Sequence, residues 1–212
     1  MKSLLTSLAL ATVLAQTAHA ATTFGFEGND LTTTGGSPLT TTVTIQNAYW
    51  ETEDEFGDPL ATPGFRADTS SPTVAANPLD SGYGAPISGK ALDGTNGPVM
   101  FTFASALNIG SFGVVLDNST FGNIPITGGN PAFGTNILFY DAADNLIGYI
   151  ALDQTVSGFT VADTGTYENV SKIVLPGGAF YDNLSFTAQS VPEPTAAALA
   201  GLGMLALLRR RR

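Results

Sequence analysis

The chain has 212 residues, a formal net charge of −10 from 18 acidic and 8 basic side chains, no cysteine and one histidine. Without cysteine there is no disulfide, no thiolate catalysis and no cysteine-held zinc or iron–sulfur centre. The histidine is His19, so a chain that begins after Ala20 also lacks Ser–His–Asp machinery and a histidine zinc site.

The basic residues are unevenly spread. Lys2 and Arg209, Arg210, Arg211 and Arg212 lie at the two ends, leaving Arg66, Lys90 and Lys172 for everything between. Nucleic acid, which needs clustered cations, is not an expected partner. An acidic, solvated surface that attracts divalent cations is expected instead.

Residues 1–20 read MKSLLTSLALATVLAQTAHA. Lys2 gives a positive start, Leu4 to Leu14 a short apolar run, and Ala18 and Ala20 the small residues that a signal peptidase reads. This is the pattern of a secretory signal peptide cut after Ala20, not of a spanning helix.

Residues 21–189 read as one all-β domain. Glycine and proline recur too often for an amphipathic helix, and the apolar runs are short and β-rich. The expected strands are Thr22–Phe26, Thr40–Ala48, Val99–Ala104, Ser111–Leu116, Asn136–Tyr140, Leu146–Leu152, Ser157–Ala162, Ser171–Leu175 and Phe180–Ala188. In the third, Val99, Phe101 and Phe103 alternate with Met100, Thr102 and Ala104, a period of two. ILFYDAADNLIGYI reads as two strands joined at Asp141, Asp144 and Asn145, which favour turns. Many short strands with Gly, Pro, Asn and Asp between them predict an antiparallel β-sandwich, with a jelly-roll-like strand order.

Residues 51–97 break this rhythm. Proline-rich and aperiodic, they read as a long loop over the sandwich, or as short irregular strands. The loop region gathers Tyr49, Trp50 and Tyr83, with Phe56 and Phe65. Their faces can stack on sugar rings, although aromatics more often bury their area. Glu51, Glu53, Asp54, Glu55 and Asp58 miss the EF-hand spacing and read as a solvated acidic stretch. No two carboxylates are paired by spacing in the way glycoside hydrolysis requires, and a non-catalytic role is expected.

Glu27 follows the first expected strand and Asp182 sits in the last. Asp182 shares parity with Phe180, Leu184 and Phe186, so it points inward if they do. A buried carboxylate needs a cation or hydrogen-bond donors. The Phe26-Glu27 and Asp182-Asn183 segments resemble the end strands of jelly-roll carbohydrate-binding modules. That resemblance implies a structural Ca²⁺ held by Glu27 and Asp182. The alternative is a Glu27 in solvent and an Asp182 bonded to backbone at a bulge.

The far end, residues 190–212, contains VPEPTAAALAGLGMLALLRRRR. Pro192 and Pro194 forbid a regular helix there. Thr195 to Leu208 is uncharged and rich in Ala and Leu. As a helix it measures roughly 21 Å at about 1.5 Å per residue, short of a hydrocarbon core of about 30 Å. It spans in a thinned bilayer with its arginines reaching to the headgroups. Arg209–Arg212 then stay cytoplasmic and the body lies across the inner membrane. Val191-Pro192-Glu193-Pro194, the apolar helix and the arginine block resemble the PEP-CTERM sorting domain. The resemblance implies processing by an exosortase-type enzyme in a Gram-negative bacterium, transient membrane anchoring, and then a cell-surface or matrix location. Proteins of that family are typical of bacteria that make exopolysaccharide and biofilm, but the tail does not assign the body's role: a non-catalytic matrix or surface protein is expected, with a carbohydrate-binding module as the alternative.

Overall fold

The computed structural model describes residues 21–26, 33–36, 39, 41–53, 56, 59–76, 87, 89–117, 136–152 and 158–190. The expected signal peptide, Glu27, Tyr83 and residues 191–212 of the tail lie outside the described residues. Eleven strands follow in chain order: β1 (Thr22–Phe24), β2 (Thr33–Gly36), β3 (Val43–Glu53), β4 (Pro59–Ala67), β5 (Thr73–Ala76), β6 (Lys90–Asp93), β7 (Val99–Asp117), β8 (Asn136–Tyr140), β9 (Leu146–Ala151), β10 (Gly158–Leu175) and β11 (Phe180–Ser190). Every pairing is antiparallel. The described part is therefore all-β, as its alternating apolar pattern requires.

Two long strands organise the sheet: β7 with 19 residues and β10 with 18. The first half of β7 lies between β3 and the end of β10, with Phe101 opposite both Ile45 and Ile173. Its second half lies between β11 and the start of β10, with Leu116 opposite both Tyr181 and Phe159. Each half continues outward. One wing runs from β10 to β8 and β9, and from β3 to β4. The other runs from β11 to β1 and β2, and to β6 and β5. The wings are parts of one hydrogen-bonded network that shares β7 and β10.

Aromatic contacts tie the two wings together. Phe101 meets Phe24 edge-on at 5.7 Å, Phe103 meets Phe186 at 5.9 Å and Phe139 meets Phe112 at 5.5 Å. All six rings are buried. Each buried ring of this size contributes roughly 1.5–3 kcal/mol, and edge-on geometry suits the ring quadrupoles.

Two expectations change. The strands expected at Val99–Ala104 and Ser111–Leu116 are one strand, β7, and those at Ser157–Ala162 and Ser171–Leu175 are one strand, β10. The intervening polar residues look like turns because they form bulges. Register shifts fall at Asp163/Thr166, Tyr167/Val170 and Val170/Lys172, and Ser111 and Asn169 adopt φ of 50° and 58°. Such bulges let a long strand bend and pass from one wing to the other. For residues 51–97 the second of the two expected readings holds, short strands and not one long loop. They hold the end of β3 together with β4, β5 and β6. The sequence of β4 hides it, because Pro59, Pro63 and Gly64 are poor strand formers. Among the described residues β4 pairs only with β3, and an edge position tolerates proline.

Candidate functional site

The most chemically varied surface lies on the outer side of the first wing. β3 pairs with β7 only up to Asn47, opposite Val99, and then continues with β4 as a two-stranded arm. The arm's base is fixed by backbone bonds, Ala48 N–H to Pro98 O at 2.8 Å and Asp68 N–H to Asn47 O at 2.7 Å. Phe65 and Trp50 face each other across the arm, edge-on at 5.0 Å. Phe65 also meets Tyr140 of β8 at 6.5 Å. Ala48, Phe65, Met100, Leu138, Tyr140 and Val174 form a second apolar cluster, with Trp50 at its edge. The arm thus lies over the outer face of the sheet, and its aromatic side chains cover Met100, Leu138 and Val174.

A polar network rims this cluster. Arg66 Nε donates to Glu51 Oε2 at 3.1 Å, and its Nη1 lies 3.6 Å from Asp144 Oδ2. Lys172 Nζ donates to Asp144 Oδ1. Two of the three basic side chains between the chain ends thus converge on one carboxylate in the β8–β9 turn. All four groups remain partly exposed, so each pair is worth about 0–1 kcal/mol. Gly64, Phe65, Tyr140, Asp144, Lys172 and Val174 line a shallow depression here. Burial and the nearby Asp144 charge push the Tyr140 hydroxyl up to about 12, so it stays protonated at neutral pH.

The β8–β9 turn that carries Asp144 is built by Asp141. Asp141 Oδ1 accepts from the backbone of Ala143 and of Asn145 at 2.8 Å each, and Oδ2 accepts from the Asn145 amide at 2.8 Å. These donors, the Asn145 side chain first, hold the Asp141 carboxyl below the ordinary 3.8. The bonds favour the charged, folded form, so their stabilisation is complete above the unfolded value and is lost as pH falls through the lower folded one. The melting temperature is expected to drop below about pH 4 more steeply in the wild type than in Asp141→Asn. Coincident acid profiles would rule this out.

The aromatic candidates separate. Tyr49 is 47% exposed and sits opposite Arg66 on the arm. Trp50 lies on the other face of the arm, half-buried against Phe65. The structure thus places Tyr49 and Trp50 on one hairpin but on opposite faces of it. Phe56 stands at the hairpin turn, strongly exposed. Sequence reasoning missed Arg66, Tyr140, Asp144 and Lys172 as a group. The scarcity of cations was the available signal, because each one in an acidic body is drawn to carboxylates.

Asp182 is buried, as its parity with Phe180 predicts, but it does not face the main core. Asn183 adopts φ of 50° and the register shifts between Asp182 and Ser185. The extra residue reverses the alternation, so Tyr181, Leu184 and Phe186 enter the main core. Phe180 joins a separate cluster with Ile87 and Ala91, and Val115, opposite Asp182, packs against it. The Asp182 carboxylate accepts from the Asn183 backbone at 2.7 Å and from its side-chain amide at 3.1 Å. These are the donors of the bulge arrangement; Glu27, the other expected ligand, lies outside the described residues. Among the described residues no group of three or more acidic or histidine side chains is placed to hold a metal ion.

Among the described residues no helix is long and apolar enough to cross a membrane. The chain has no match among curated proteins or solved structures. Residues 190–212 match the PEP-CTERM protein-sorting motif, and that motif marks the chain as one sorted by an exosortase-type enzyme, exported and transiently held at the membrane of a Gram-negative bacterium.

Proposed function

We propose that the chain is a non-catalytic protein of the cell surface or extracellular matrix, delivered through its sorting tail and associated with exopolysaccharide in a biofilm. The observation that carries this reading is the sorting motif behind an all-β body. A signal peptidase removes residues 1–20, and the two wings pack as a sandwich. The absence of cysteine and of histidine beyond His19 removes thiol and imidazole chemistry, and Asp141, Asp182, Asp144 and Glu51 serve a turn, a bulge and ion pairs. A structural Ca²⁺ held by Glu27 and Asp182 has its own test: Ca²⁺ then raises the melting temperature of the wild type and leaves that of Asp182→Ala unchanged.

A second reading, carbohydrate binding, is favoured by the arm. Tyr49 presents an exposed ring beside Arg66 and Glu51, an apolar face flanked by groups that bond hydroxyls. The full chain from its host should co-sediment with that host's exopolysaccharide. Tyr49→Ala should weaken this by about tenfold, a loss of about 1.4 kcal/mol. Co-sedimentation that Tyr49→Ala leaves intact would keep the structural reading and remove glycan binding at the arm. No co-sedimentation at all would remove the polysaccharide association.

A further inference from the structure

β9 is an edge strand that exposes large apolar side chains, unlike the equally uncharged edges β2 (TTGG) and β5 (TVAA). Among the described residues it pairs only with β8. Its sequence, LIGYIA, contains no charge and no proline. Leu146, Ile147 and Tyr149 are 39%, 37% and 47% exposed, and the other exposed large apolar side chains of the described residues are Tyr49 and Phe56. Edge strands are ordinarily guarded by lysine, proline or inward-pointing charge against pairing with other chains. The β4 edge carries such guards in Pro59 and Pro63. β9 has none, and its register shift lies at its start, between Phe139 and Tyr140 of its partner strand.

We propose that β9 pairs antiparallel with β9 of a second copy of this chain, joining two bodies edge to edge into a twofold dimer. The charge distribution selects this occupant. The body is strongly acidic, so two copies repel over most of their surfaces. β9 is uncharged, and of the two carboxylates in the turn at its entrance Asp144 is matched by Lys172 and Arg66, while Asp141 is held by the turn's own donors. Here two copies approach at little electrostatic cost. An antiparallel strand set against its own copy is self-complementary, so each exposed side chain of one copy faces the equivalent patch of the other. The backbone donors and acceptors of both edges are satisfied in the same step.

The cysteine-free sequence makes the test clean. The full chain is expressed in its host with a single cysteine replacing Leu146, Ile147, Tyr149 or Ala151, singly and in pairwise mixtures, and is then oxidised. Gly148 is left alone, because a Cβ there would lie 2.7 Å from the Tyr167 ring. Thr73→Cys, on the exposed β5, measures random collision. The expected result is a disulfide dimer from at least one β9 position or mixture, at ten times the Thr73→Cys yield or more. Ile147→Lys or Tyr149→Lys, at the position left free of cysteine, should abolish it without changing the melting temperature. Yields equal to the Thr73→Cys control overturn the proposal. So do disulfide adducts with a different protein, and a dimer indifferent to the lysine substitutions.

Discussion

Phe139→Ala is expected to destabilise the body by about 3–5 kcal/mol, lowering its melting temperature by about 6–20 °C. Phe139 is fully buried near the end of β8. Its ring stacks on Tyr167 of β10, with centroids 3.9 Å apart and planes 13° apart, and meets Phe112 of β7 edge-on. It therefore joins both wings. The site cannot collapse easily around a smaller side chain, because β8 is hydrogen-bonded on one side to β10 and on the other to β9. The lost apolar area and the unfilled space therefore both count against the variant. Tyr149→Ala, on the exposed side of the neighbouring strand, should cost less than about 0.5 kcal/mol. Denaturant titration of the two variants gives the comparison. A Phe139→Ala loss under about 1 kcal/mol would mean that the wings do not meet at this ring.

Replacing Pro192, Glu193 and Pro194 together by alanine is expected to leave the full chain at the inner membrane, with processed product reduced at least tenfold, a change of about 1.4 kcal/mol or more in recognition. Each proline fixes φ and lacks an amide donor, and each pushes the residue before it away from helix. Alanine removes both backbone restraints and the Glu193 charge that lies between them in the motif. Electrophoretic mobility and the mass of the mature C-terminus report the outcome. Wild-type processing of the triple variant would mean that the enzyme reads another part of residues 190–212.

The fold class was legible because its evidence is local. The period-2 alternation of Phe101 and Phe103 with Met100, Thr102 and Ala104, and the Asp141–Asn145 turn, depend on residues close in sequence, and both are present. The length of β7 and β10 was not legible, since Asn108, Gly110, Gly165 and Asn169 look like chain reversals until a partner strand absorbs them as bulges. Asp182 shows the same limit. Its burial follows from parity, but one residue in a left-handed conformation at Asn183 moves it to the opposite face. The ion pairs at Asp144 were beyond reach for another reason. Arg66, Asp144 and Lys172 come from three separate stretches, brought together by an arm whose second strand contains two prolines. The sorting tail was the most legible part, because an enzyme reads it as a short linear signal.

β1 completes its ladder on β11, with Thr22 opposite Phe186. The opening residues of the body therefore wait for its last strand. A polypeptide threaded through a narrow translocation channel cannot close this structure until nearly all of it has emerged, so it stays loose enough to thread throughout the passage. Such distant closure is slow, because the pairing of β1 with β11 joins the two ends of the body.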